Sequence, residues 1–203
     1  RTNPSRGTGL LIKAAGPVDP TVTFLSVRSA QGQPVSLLAN YGLHYVGGIP
    51  PSQLSADYFG EFARQIASRF KADAASGFVG IMSNGASGDV NNYRFPDARP
   101  RSHPFERVKA VASLVADRVG ATNAMIDFQS ETTILMNERE LEVGIRQPDV
   151  RQLEKAKALL AQAANPERLT MNEVYAQESV RLSQASPTVR IKLQTISIGE
   201  LAI

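Results

Sequence analysis

Apolar residues fall three or four apart in two stretches of this chain and cluster in short runs in several others. Phe59, Phe62, Ile66 and Phe70 share one helical face, which predicts an amphipathic helix over residues 55–70, with Ser55 placed to cap it and Asp57 in its first turn. Phe105, Val108, Val111, Val115 and Val119 repeat the spacing from Pro104, a favoured first helical residue, to Gly120. Residues 21–27 and 35–41 are rich in β-branched and apolar side chains and flank Gln31-Gly32-Gln33, which predicts a hairpin. The short apolar run 78–82 reads as a buried strand, and the helix before it makes a crossover to a parallel partner.

Later segments follow the same logic. Residues 132–143 alternate imperfectly and predict a strand. A Lys- and Glu-bearing helix is expected from about 148 to 164, ended by Asn165-Pro166. Thr170-Met171-Asn172-Glu173 is a capping box for a helix reaching about Leu182, with Leu169 and Val174 as its staple, and 189–203 is one long or two short strands. The order of elements predicts an α/β fold, a mixed sheet flanked by amphipathic helices.

The 203 residues, 42% of them hydrophobic, are enough for one ordinary core. Twenty-two Lys and Arg against 19 Asp and Glu leave a net charge of +3 without a basic cluster, so nucleic acid is not an expected partner. No run approaches the roughly 18 apolar residues of a membrane span. The absence of Cys removes disulfides, thiolate metal sites and thiol nucleophiles. The chain opens on Arg1 and its last residues, Ile191 to Ile203, read as a strand running off the end, the expectation being a fragment of a longer protein.

Three places can carry chemistry. His44, one of two histidines, follows a strand in a glycine-flanked loop and is either a metal ligand or a satisfied loop-end side chain, whereas His103 before Pro104 reads as a capping or surface residue. The irregular stretch 84–103 begins with a small-residue loop, Asn84-Gly85-Ala86-Ser87-Gly88-Asp89-Val90-Asn91-Asn92, directly after a strand. Its spacing fits neither a nucleophile elbow nor a phosphate loop. It reads as a tight turn, structural or able to hold an anion, an oxyanion or a hard cation, with Asp89, Asn91 and Asn92 on its rim. Asp57 beside Ser55 complements the helix dipole, and a carboxylate there can also bind substrate or orient a metal ligand.

Taken in order, Gly16-Pro17-Val18-Asp19-Pro20, Asn40-Tyr41-Gly42-Leu43-His44, residues 54–60 (Leu-Ser-Ala-Asp-Tyr-Phe-Gly) and the loop from Asn84 to Asn92 resemble the amino-terminal catalytic domain of the neutral/alkaline, non-lysosomal ceramidase family, in its bacterial ceramidase-like branch. The matching order covers residues 10–125, and 1–203 is read as a single partial catalytic domain. The resemblance implies a zinc-dependent amidase that cleaves the N-acyl bond of ceramide, a small-molecule or lipid amide or ester as substrate, and a secreted or periplasmic setting. It implies His44 as a zinc ligand, with another histidine, a glutamate and a tyrosine outside this sequence. Asn91 stands where the family has its catalytic serine. Asn91 and Asp89 are therefore expected to act through a zinc-activated water, with Asp57, Asn84 and Asn92 contacting substrate. Ser83 and Ser87 are fallback nucleophiles. The alternative is a non-catalytic binding or scaffold relative that keeps the fold.

Overall fold

A computed structural model describes residues 12–14, 16–72, 77–92 and 102–202. The start of the chain, residues 93–101 of the irregular stretch 84–103, and Ile203 lie outside the described residues. The chain divides into two compact units, Arg1–Ser130 and Glu131–Ile203.

In the first unit β1 (Val22–Arg28) and β2 (Pro34–Tyr41) form the expected antiparallel hairpin, turning at Gly32, whose φ of +80° suits glycine. Helix α1 (Asp57–Arg69) then carries the chain over to β3 (Val79–Asn84), which pairs parallel to β2 from Ser36 opposite Val79 to Tyr41 opposite Asn84. The sheet order is β1-β2-β3, and it is mixed as the pattern predicted. Because the register sets Tyr41 beside Asn84, the loops after β2 and β3 leave the sheet at one edge, where open α/β sheets build sites.

Strand alternation divides this sheet into two faces. Leu37, Ala39 and Met82 turn into the core with Tyr58, Phe62 and Ile66 of α1 and Val108, Ala112, Val115, Ala116 and Val119 of α2 (Glu106–Asn123). The alternate residues Val27, Val79 and Ile81 are exposed, so both helices cover the same face, and β3, expected as a buried strand, is covered on one side only. The helix-facing residue between Val79 and Ile81 is Gly80. A Cβ there would stand 2.7 Å from Ile66 Cγ2 and 3.0 Å from the Ala63 carbonyl oxygen, so α1 lies directly on bare backbone. Gly80→Val is expected to destabilise the protein by about 2–3 kcal/mol through overpacking, read as a lower urea midpoint.

Arg69 closes the helix pair, its guanidinium reaching Asp117 Oδ1 (2.6 Å) and both the carbonyl and hydroxyl of Ser113. Helix boundaries differ from expectation: α2 (Glu106–Asn123) starts two residues after Pro104, because Phe105 at its N-cap is left-handed. Ser55 accepts the Asp57 N–H through Oγ, but the residue at the α1 N-cap is Ala56. Helix α2 runs through Gly120 to Asn123, since burial of Val115, Ala116 and Val119 in the core offsets the roughly 1 kcal/mol that an interior glycine costs a helix.

The second unit has its own antiparallel sheet, β4 (Ile134–Gly144), β5 (Thr188–Ile198) and β6 (Leu201–Ala202), with Gly199 at a φ of +59° turning the last pair. The closing segment is thus two strands. Between β4 and β5 lie α3 (Val150–Ala161) and α4 (Met171–Gln184). The Thr170–Glu173 capping box forms as the sequence indicates, and Glu173 sits below the usual carboxylate range because it accepts the Thr170 backbone N–H and hydroxyl. A second box, Asp149 with Gln152, starts α3.

Candidate functional site

The two loops that leave the shared sheet edge are fastened to each other by backbone. Gly85 N–H donates to the Tyr41 carbonyl (3.0 Å), and His44 N–H donates to the Val90 carbonyl (3.2 Å). Glycine permits this approach. A Cβ on Gly42 would be 3.0 Å from the Ala86 carbonyl oxygen, and one on Gly85 would be 3.2 Å from Gly42 Cα. Two motifs separated by some forty residues in the sequence therefore meet, with His44 one hydrogen bond from the residue that precedes Asn91.

The segment from His44 to Gly48 is held from several directions. Asp57 accepts Val46 N–H on Oδ1 and Gly47 N–H on Oδ2, both at 2.9 Å, and Tyr58 N–H on Oδ1 at 2.7 Å. The Val46 carbonyl accepts from Asn92 Nδ2 (3.3 Å), and the Gly48 carbonyl accepts the N–H of Phe105 (3.2 Å). Tyr58, fully buried, donates its hydroxyl to the Leu43 carbonyl at 2.9 Å. Burial, reinforced by Tyr41 and Asp57, drives its pKa well above that of a free phenol, so this donor keeps its proton.

Asp57 and Phe105, at the starts of the two helices, both have left-handed backbone, with φ of +51° and +62°. Asp tolerates that region; for a bulky side chain such as Phe105 it costs about 1–2 kcal/mol.

The expected site residues fall out as follows. His44 is half-buried, its Nδ1 3.4 Å from the Tyr45 carbonyl oxygen and its ring 4.2 Å from that of Tyr45. Asp89 and Asn91 are exposed on the rim, and Asn91 Oδ1 accepts the Asn92 N–H at 2.8 Å, leaving the Nδ2 group as its donor end. Asn84 donates to Ser87 Oγ (2.8 Å). Asp57 has both oxygens on loop backbone and anchors the His44 segment. Ser83 Oγ accepts from Asn40 Nδ2 and donates to the Ala39 carbonyl, so this hydroxyl and that of Ser87 serve the loop framework.

Arg107 and Tyr58 were not legible as site residues. Arg107, in the first turn of α2, sends Nε to Asn92 Oδ1 (3.0 Å) and Nη2 to both that oxygen (2.6 Å) and the Asn92 carbonyl (2.7 Å). No sequence signal joins positions 92 and 107.

As a test of fit for zinc, the imidazole of His44 suits one coordination position. Among the described residues no three of His, Cys, Asp or Glu come together to hold a metal, so those present do not make a complete donor set. Also among the described residues, no helix is long and apolar enough to cross a membrane.

No known protein-family profile matches the chain, and no curated protein sequence matches it. Among solved structures, the neutral ceramidase from Pseudomonas aeruginosa is similar, with a TM-score of 0.50 and 17% identity over 91% of this chain and 34% of the ceramidase. The present chain thus spans about a third of that protein's length, and what the two share is the α/β fold of a ceramidase.

Proposed function

We propose that this chain supplies one wall of a hydrolase site acting on the carbonyl of an amide, such as a ceramide-like N-acyl bond, or of an ester, with zinc as its metal. The observation that carries this reading is the fastening of the His44 loop to the turn bearing Asp89 and Asn91 at a strand-end edge, in a fold shared with a neutral ceramidase. His44 provides one donor to the metal, and the remaining donors lie outside the described residues. When bound, such a metal supplies Lewis-acid polarisation of a carbonyl.

The chain's own contribution is placement. Asn91, with Oδ1 engaged by the Asn92 N–H, offers its amide protons to negative charge developing on the carbonyl oxygen. Asp89, exposed on the same rim, offers a carboxylate to hold the proton of an attacking water. Asn84 and Asn92 border the substrate, and Asp57 keeps the His44 loop in register with them.

The test uses the full-length protein, wild type beside His44→Ala, with zinc measured by elemental analysis after dialysis and turnover measured on N-acyl amides and esters. Stoichiometric zinc and hydrolysis in the wild type are expected, with loss of the metal and at least a ~100-fold drop in turnover on removing His44. Wild-type protein without zinc or turnover would overturn the reading and leave a non-catalytic binding domain.

A further inference from the structure

The geometry points to Arg107 as a positioning residue, the latch that fixes the Asn91–Asn92 turn against the His44 loop. Its catalytic consequence rests on the hydrolase reading above; its structural part does not. The guanidinium grips one residue at two places, taking the carbonyl oxygen of Asn92 on Nη2 and the side-chain oxygen on both Nε and Nη2, at 2.6–3.0 Å. A planar fork meeting a backbone and a side-chain acceptor of the same residue fixes both the path of the chain and the rotation of the side chain, which a single contact cannot do.

That rotation matters because the other end of the Asn92 amide is also engaged. Nδ2 donates to the Val46 carbonyl, so Asn92 bridges α2 to the loop that carries His44. Its N–H is in turn the donor that holds Asn91 Oδ1. The orientation of Asn91 and one of the bonds that seat the His44 loop thus run through Asn92, and that residue is held by Arg107. Arg107 itself is half-buried and rooted in the first turn of a helix whose Val108 belongs to the core, so the latch is anchored in rigid structure. Through Asn92, Arg107 acts on the site as a positioning residue.

The experiment compares Arg107→Gln and Arg107→Lys with wild type in the full chain, following backbone amide hydrogen exchange at His44, Val46 and Asn92 and, in parallel, kcat and KM for amide or ester hydrolysis. Lysine keeps the charge without the fork, so it separates geometry from electrostatics. Exchange at His44 and Asn92 is expected to rise about 10-fold in both variants while the α1 and α2 interior amides hold their protection. Where wild type is active, kcat is expected to fall about 10- to 100-fold at nearly constant KM, as misplacement of a catalytic group does. Unchanged exchange at these loop amides in both variants would overturn the proposal, as would full retention of kcat in Arg107→Lys. A wild type that hydrolyses no amide or ester removes the catalytic reading alone, and exchange then decides the latch by itself.

Discussion

Phe62→Ala is expected to be among the most damaging single changes in the first unit, at about 3–5 kcal/mol. The side chain is fully buried, one helical turn from Tyr58 and one from Ile66, which are also fully buried, and it packs in the cluster that joins α1 to Leu37, Ala39 and Met82 of the sheet. Truncation forfeits the transfer energy of the ring and leaves a cavity that α1 cannot close. Gly80 already brings the helix to backbone contact with β3, so further collapse is blocked. A loss of that size is a large share of the 5–15 kcal/mol that holds a typical domain together. Urea denaturation followed by a probe in the first unit checks it. A midpoint shift worth less than about 1 kcal/mol would mean that the helix does not rest on the sheet as described.

Asp57→Ala is expected to cost about 3 kcal/mol and to free the His44 loop as well. Three backbone N–H groups lose a charged acceptor, two of them from the loop. Alanine also inherits a backbone φ of +51° that aspartate tolerates better. Asp57→Asn retains one acceptor oxygen and the same tolerance for left-handed backbone, so it is expected to cost about 1 kcal/mol. The ordering of the two variants distinguishes a loop anchor from a helix-dipole residue: a pure dipole effect would make both equal at about 0.3–1 kcal/mol. Equilibrium unfolding of both variants gives the ordering, and exchange at Val46 and Gly47 reports whether the loop itself has been released.

What the sequence made legible was whatever local pattern could encode. The 59–70 stripe, the hairpin about Gly32, the parallel crossover into β3 and the Thr170–Glu173 box all follow from spacing or from cap chemistry. Tyr58 escaped the helical stripe because an amphipathic side chain reads equally as surface; only the fold shows its hydroxyl under the Leu43 carbonyl. Gly120 suggested a helix end, and core packing of the preceding turn through Val115, Ala116 and Val119 carried the helix past it. The division into two units, each with its own sheet, has no local signature either. For the site, the residue types on the two loops were visible, but their meeting through His44 and Val90 depends on strand register, which is a long-range property. Arg107 was invisible for the same reason: the contact spans fifteen positions and belongs to no periodicity.

The many bonds on the 44–48 segment bear on encounter rates. With its N–H and carbonyl groups engaged by Asp57, Asn92 and Phe105, this segment has little conformational search left when a ligand arrives. A ligand meeting this edge finds the loop already in its final shape. Its arrival should therefore follow single-step association kinetics governed by diffusion and orientation, and selectivity among ligands should appear mainly in how long each one stays.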